Sequence, residues 1–268
     1  MFKTSTGAGY QPKYTSPNGS YWYKEDLRGG EALAEVLISN FLRTCNYLGF
    51  QDFVPYDFKY TSVESFDLRT CVSPNFLQKG EQFIPFKDLL TLTSFSEVNL
   101  VDFDSKLDFI DSVFQQTVGQ SFREDLLRLL TLDVMFRNTD RHLSNFGIIL
   151  APNGSVRFTP IFDNGLALRV SEGAYFDLYN LIKGFGYKIK PYELAVSALS
   201  PKIDTSYFQF DVLYFVEVVD KNIPKSNLLL GFLNLLVLYY PTDCNGRDTK
   251  EVLESVFGEF SRKRFLNE

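Results

Sequence analysis

The stretch Asp133–Gly165, DVMFRNTDRHLSNFGIILAPNGSVRFTPIFDNG, decides how this chain is read. Asp140 is followed, after Arg-His-Leu-Ser, by Asn145. Phe146 to Leu150 is a short apolar run, Pro152-Asn153-Gly154 is a turn signal, and Val156 to Phe162 is a second run rich in strand formers. This order predicts a hairpin with Asn145 just before it and Asp163 just after it. A hairpin brings its ends together, so Asn145 and Asp163 are expected side by side. Two oxygen ligands facing one point suit a Mg²⁺ ion bridging nucleotide phosphates, because Mg²⁺ keeps several waters and takes only one or two protein carboxylates. Each piece alone is ordinary: Asp-Asn-Gly is a common turn, and Asn138 or Asp140 would serve as a helix-end cap. The joint pattern carries the reading.

A protein kinase's catalytic loop has this arrangement. An Asp orients the substrate hydroxyl and takes its proton, an Asn after four residues holds Mg²⁺, and a later Asp-x-Gly element supplies the other Mg²⁺ ligand. Asp140, Asn145 and Asp163-Asn164-Gly165 fill those places. NTDRHLSNFG followed by TPIFDNG resembles the HipA-like kinases, especially their compact single-unit members. The D-R-H-x-x-N core is also similar to the phosphoinositide-3-kinase-like catalytic loop. The resemblance covers most of residues 5–165, is strongest at the catalytic loop and thins after residue 170. It implies a two-lobed atypical kinase using ATP and Mg²⁺, a phosphotransferase acting on Ser or Thr of a protein substrate.

Residues 4–13, TSTGAGYQPK, are small and polar. Gly7 and Gly9 let backbone N–H groups approach phosphates, and in HipA-like proteins a Ser/Gly-rich loop precedes a Lys at about this place. A frayed terminus is the competing reading. With only Met1 to Lys3 ahead of the loop, the first strand is expected to be short or absent. The resemblance further implies autophosphorylation in this loop, at Ser5 or Thr6. Gln11 to Thr15 and Ser20 to Lys24 flank Ser16-Pro17-Asn18-Gly19, a second hairpin signal. Lys24 ends its strand as the phosphate-contacting Lys of a kinase does, with a Glu partner on the next helix. That helix is expected from about Glu31 to Thr44, with a stripe of Leu33, Val36, Leu37, Phe41 and Leu42. Glu31 and Glu35 lie one turn apart on one face. The match of EVLISNFL to the family's Glu-bearing helix selects Glu35; two solvated surface carboxylates are the alternative.

Further strands are expected over 53–58 and 69–73, with 82–85 as an edge strand whose Pro removes a ladder donor. The lobe boundary falls between about 86 and 96. The expected class is therefore α+β: a small antiparallel-sheet N-lobe over 1–90, then a mainly helical C-lobe over 91–268. Helices are expected over 96–118 and 121–138, the second apolar nearly all round and hence buried. His142 is the only histidine. With no acidic or Cys partners it does not suggest zinc or a nucleophile triad; its expected work is to orient the loop or the Asp163 backbone. Arg141 either contacts substrate or phosphate or is solvated. Residues 171–190 correspond to an activation or substrate loop made basic by Lys183, Lys188 and Lys190. Helices at about 208–220, 226–240 and 247–264 are expected to complete the large lobe.

Composition narrows the function classes. The chain has 268 residues, 45% hydrophobic and 16% aromatic, ample for a packed core. A net charge of −6 disfavours generic nucleic-acid binding, which Lys and Arg drive. Cys45, Cys71 and Cys244 are odd in number and widely spaced, so no disulfide framework is expected and a reducing, cytoplasmic setting is. The first residues lack a signal-peptide apolar core. The run Leu228 to Tyr240 is interrupted by Gly231 and Asn234 and is too short for a membrane span. Two rivals remain open: a small-molecule or lipid kinase with the same cleft, and a nucleotide-binding pseudokinase working through protein contacts.

Overall fold

Helix α1 (Glu31–Arg43) is buried at every position from Glu31 to Leu42. It starts where Gly30 turns to φ 102° and Asp26 accepts from the N–H groups of Gly30 (3.1 Å) and Ala32 (2.6 Å). One carboxylate thus serves two orphan donors at the positive end of the helix. A helix buried all round needs cover on both sides. In this computed structural model that cover comes from both ends of the chain. The structure describes residues 2–3, 13–26, 30–46, 48–63, 66–93, 103–138, 141–168, 204–219, 223 and 226–260.

On one side of α1 lies a five-stranded antiparallel sheet. Its strands are β1 (Phe2–Lys3), β2 (Lys13–Thr15), β3 (Tyr21–Glu25), β5 (Asp57–Val63) and β6 (Phe66–Pro74), in the order β1-β2-β3-β6-β5. The β2–β3 hairpin turns where the sequence signal stands, and the expected short first strand has two residues. The stretch at 53–56, expected as strand, is a buried connection; the strand itself begins at Asp57.

On the other side of α1 lie α5 (Val212–Val218) and α6 (Asn227–Tyr239), with α7 (Thr249–Phe257) packed on both. Asp211, Ser226 and Asp248 cap these three helices with side-chain oxygens. Two short strands outside the expectations, β4 (Cys45–Asn46) and β10 (Gln209–Phe210), pair at the end of α1. Phe41 of α1 meets the rings of Phe208, Phe210 and Tyr240 at 5.3–5.8 Å. Each such fully buried aromatic contributes about 2–3 kcal/mol. The C-terminal helices, expected to complete the large lobe, therefore pack on α1. The physical reason is that the sheet covers only one face of a helix that is apolar on both.

The chain forms two compact units, one of residues 1–76, 164–169 and 205–268, the other of 77–163 and 170–204. The second contains a three-stranded antiparallel sheet, β7 (Gln82–Pro85), β8 (Gly147–Leu150) and β9 (Val156–Phe158), in that order. With it are α2 (Phe86–Thr91), α3 (Phe103–Val118) and α4 (Arg123–Met135). β7 is an edge strand as expected, but of this sheet, and α2 follows Pro85 directly. Phe86 stacks on Phe146 at 5.2 Å, and Phe114, Phe122 and Phe158 complete the aromatic core. The α3–α4 corner is tied by Asp111, which accepts from Ser121 Oγ and the Phe122 N–H. The α+β class holds for the molecule.

Candidate functional site

In the first unit the candidate phosphate-contacting residue sits on β3. Tyr21 is exposed and Lys24 buried at 6% exposure. Lys24 Nζ meets Glu35 Oε1 at 2.6 Å and lies 5.0 Å from the centre of the Tyr56 ring. Glu35 is wholly buried; its Oε2 accepts the Asn164 N–H at 2.9 Å. The expected pair of Lys24 with Glu35 is thus present in the structure. Glu31, one turn earlier, is also buried, and the space at Gly165 is closed by it: a Cβ there would lie 3.3 Å from the Glu31 Cβ. Gly165 of the Asp-Asn-Gly element thus permits close approach to α1. Cys71 stands opposite Lys24 in the β3–β6 register, and burial and the Glu35 charge push its thiol well up, so it is an inert, protonated core group.

In the second unit α4 ends at Met135, Arg137 turns to φ 54°, and the Asn138 N–H returns to the Asp133 carbonyl at 2.8 Å. This closes the helix and starts the loop. Arg141, expected to contact substrate or phosphate or to be solvated, does neither. It is the largest fully buried side chain among the described residues. Its Nε and Nη2 engage the Asp133 carboxylate in a fork, at 2.9 and 3.0 Å. Its Nη1 donates to the carbonyls of Asn145 (3.2 Å) and Phe162 (2.7 Å). Asn138 Nδ2 adds a bond to Asp133 Oδ1 at 2.9 Å. Burial pushes the Asp133 carboxyl above its ordinary range, against the pull of Arg141 and Asn138.

The hairpin forms as expected: Ile148 pairs with Phe158, and Gly147 and Thr159 exchange two further bonds. Its ends are tied at Asn145 and Phe162 through one guanidinium nitrogen, one residue short of Asp163. Asn145 is buried at 6% exposure. Asp163 takes the left-handed backbone, φ 61°, a region that Asp tolerates better than most residues. His142 shapes its own loop: Nδ1 accepts the Ser144 N–H at 3.2 Å, and its carbonyl accepts the Asn145 N–H at 2.8 Å. Asn145 and Asp163 offer hard oxygen donors of the kind Mg²⁺ takes. No group of three or more His, Cys, Asp or Glu side chains that could hold a metal occurs among the described residues. Gly7, Gly9, Ser5, Thr6, Asp140 and the 171–190 segment lie outside the described residues.

Asp133 and the structural work of Arg141 were not found from sequence. The available signal was a single carboxylate in the last, otherwise apolar turn of the helix, eight positions before an Arg. A buried charge requires a partner.

A family model for the HipA-like C-terminal domain matches residues 31–181. Among solved structures, the chain is similar to the Helicobacter pylori proinflammatory kinase CtkA, with a TM-score of 0.55 and 12% identity, covering 95% of this chain and 94% of that one. It is also similar to HipA of Shewanella oneidensis MR-1, solved with HipB and operator DNA, with a TM-score of 0.47 and 14% identity over 88% of this chain and 64% of that one. The first likeness establishes a kinase-like fold. Comparison with curated proteins returned no match. No described helix is long and apolar enough to cross a membrane.

Proposed function

Because the chain belongs to the HipA-like C-terminal domain family, we propose that it is an ATP- and Mg²⁺-dependent kinase that transfers the γ-phosphoryl group to Ser or Thr of a protein. The observation that carries this reading is the buried Lys24–Glu35 ion pair. A buried pair is seldom more stable than apolar residues of the same volume, so its presence points to a use for the charge. Lys24 would contact the α- and β-phosphates, with Glu35 holding its ammonium in place. The backbone at Gly7 and Gly9 would approach the phosphates. Asp140 would orient the acceptor hydroxyl and take its proton as the new phosphorus–oxygen bond forms and the bond to ADP breaks. Asn145 and Asp163 would hold Mg²⁺, which would supply charge neutralisation to the phosphates. His142 would keep the loop in shape. Autophosphorylation at Ser5 or Thr6, and a cytoplasmic setting suited to the free thiols, belong to the same proposal.

The test compares wild type with Asp163→Ala and Asp140→Ala. Ligand present at about 100 times its dissociation constant adds about 2.7 kcal/mol of stability, so Mg·ATP should raise the melting temperature of wild type and Asp140→Ala but not of Asp163→Ala. Labelled ATP should be turned over by wild type alone, and phosphopeptide mass spectrometry of a treated lysate would name the acceptor. Stabilisation of Asp163→Ala equal to that of wild type would refute the metal assignment. Binding without transfer by wild type would favour a pseudokinase. Transfer confined to a small molecule or lipid would move the acceptor class.

A further inference from the structure

Arg141 adjoins the proposed catalytic Asp140 in sequence, yet nothing outside the protein can touch it. A guanidinium carries five N–H donors in one plane. Asp133 takes Nε and Nη2, and this fork sets the plane relative to the last turn of α4. The two hydrogens of Nη1 then point at two fixed places, occupied by the carbonyls of Asn145 and Phe162. Asn145 is one proposed Mg²⁺ ligand, and Phe162 immediately precedes the other, Asp163. Within the hairpin itself, Gly147 and Thr159 exchange bonds nearer the turn. The arrangement is therefore a relay from a rigid helix to the two residues that carry the ligands.

We propose that Arg141 is a positioning residue, and that its guanidinium, locked by Asp133, sets the spacing of the hairpin ends that carry Asn145 and Asp163. This inference rests on the reading of those two residues as Mg²⁺ ligands. A Lys cannot replace the device, because an ammonium has three donors and no fixed fork. Groups that orient a metal's ligands typically account for about 10- to 100-fold in affinity or activity when removed.

The experiment measures the Mg²⁺ concentration at half-maximal thermal stabilisation by ATP in the full chain, beside turnover. Arg141→Lys is the first variant. Asp133→Asn combined with Arg141→Met is the second, since it removes the buried charges together and leaves the carbonyls without their donor. The expected result is a folded protein by circular dichroism whose Mg²⁺ midpoint rises about 10- to 100-fold, with turnover partly restored by high Mg²⁺. A midpoint within about twofold of wild type in either folded variant would overturn the proposal. So would lost turnover that Mg²⁺ does not restore, or failure of both variants to fold, which would make Arg141 a determinant of the fold alone. Asp163→Ala run in parallel separates the two claims: if it too keeps the wild-type midpoint, the ligand reading fails; if it alone loses Mg²⁺ dependence, only the positioning role fails.

Discussion

Neutralising either end of the Lys24–Glu35 pair should cost far more than neutralising both. At 2.6 Å, and with an effective dielectric of about 20, the Coulomb attraction is about 6 kcal/mol. Desolvating two ions opposes it by several kcal/mol each, so the intact pair contributes little net stability. Glu35→Gln removes a carboxylate 2.6 Å from an ammonium of 8% exposure, and should cost about 3–5 kcal/mol. Lys24→Met leaves a carboxylate with no exposure and should cost a similar amount. The double variant should return to within about 2 kcal/mol of wild type. The coupling energy should then be about 4–10 kcal/mol, the two single costs less the double. Urea unfolding followed by fluorescence measures it, because Trp22, the only tryptophan, lies on β3 two residues before Lys24 and reports on this unit. A coupling below about 1 kcal/mol, the value of an exposed pair, would refute the buried-pair argument and with it the main support for a phosphate-binding Lys24.

Two further outcomes are expected. Gly147→Ala should destabilise the second unit by about 3 kcal/mol or more, since its Cβ would strike the Ile84 carbonyl and lie 2.9 Å from the Phe86 nitrogen; thermal unfolding within about 0.5 kcal/mol of wild type would contradict this packing. Asp243 shows a pH dependence with a definite sign. Burial pushes its carboxyl up, but the N–H groups of Arg247, Asn245 and Val212, with the Arg247 guanidinium, hold it below its ordinary 3.8. Its contribution is therefore full above pH 3.8 and lost as pH falls through the depressed value. Asp243→Asn should cost about 2–3 kcal/mol at neutral pH, and urea titrations should show that difference shrinking below pH 3.8; a difference growing on acidification would reverse the assignment.

What the sequence determined by itself was local. The β8–β9 hairpin, the β2–β3 hairpin and the limits of α1 follow from turn residues, alternation and helical periodicity acting over a few positions, and each stands within a few residues of its expected place. The choice of Glu35 over Glu31 came from a resemblance, because spacing puts both on one face; only the tertiary structure brings Glu35 within 2.6 Å of Lys24. Tertiary structure alone decided what covers the second face of α1. Apolar periodicity states that α5 and α6 need a partner, but not which one, since hydrophobic burial is non-directional. It also decided the work of Arg141. In the sequence it is one charged residue in a polar loop, with nothing to distinguish it from a solvated side chain. Only the return of the chain past α4 encloses it and brings Asp133 and two carbonyls to its five donors. A buried charge persists only where such partners converge from distant parts of the chain, and that convergence is a property of the fold.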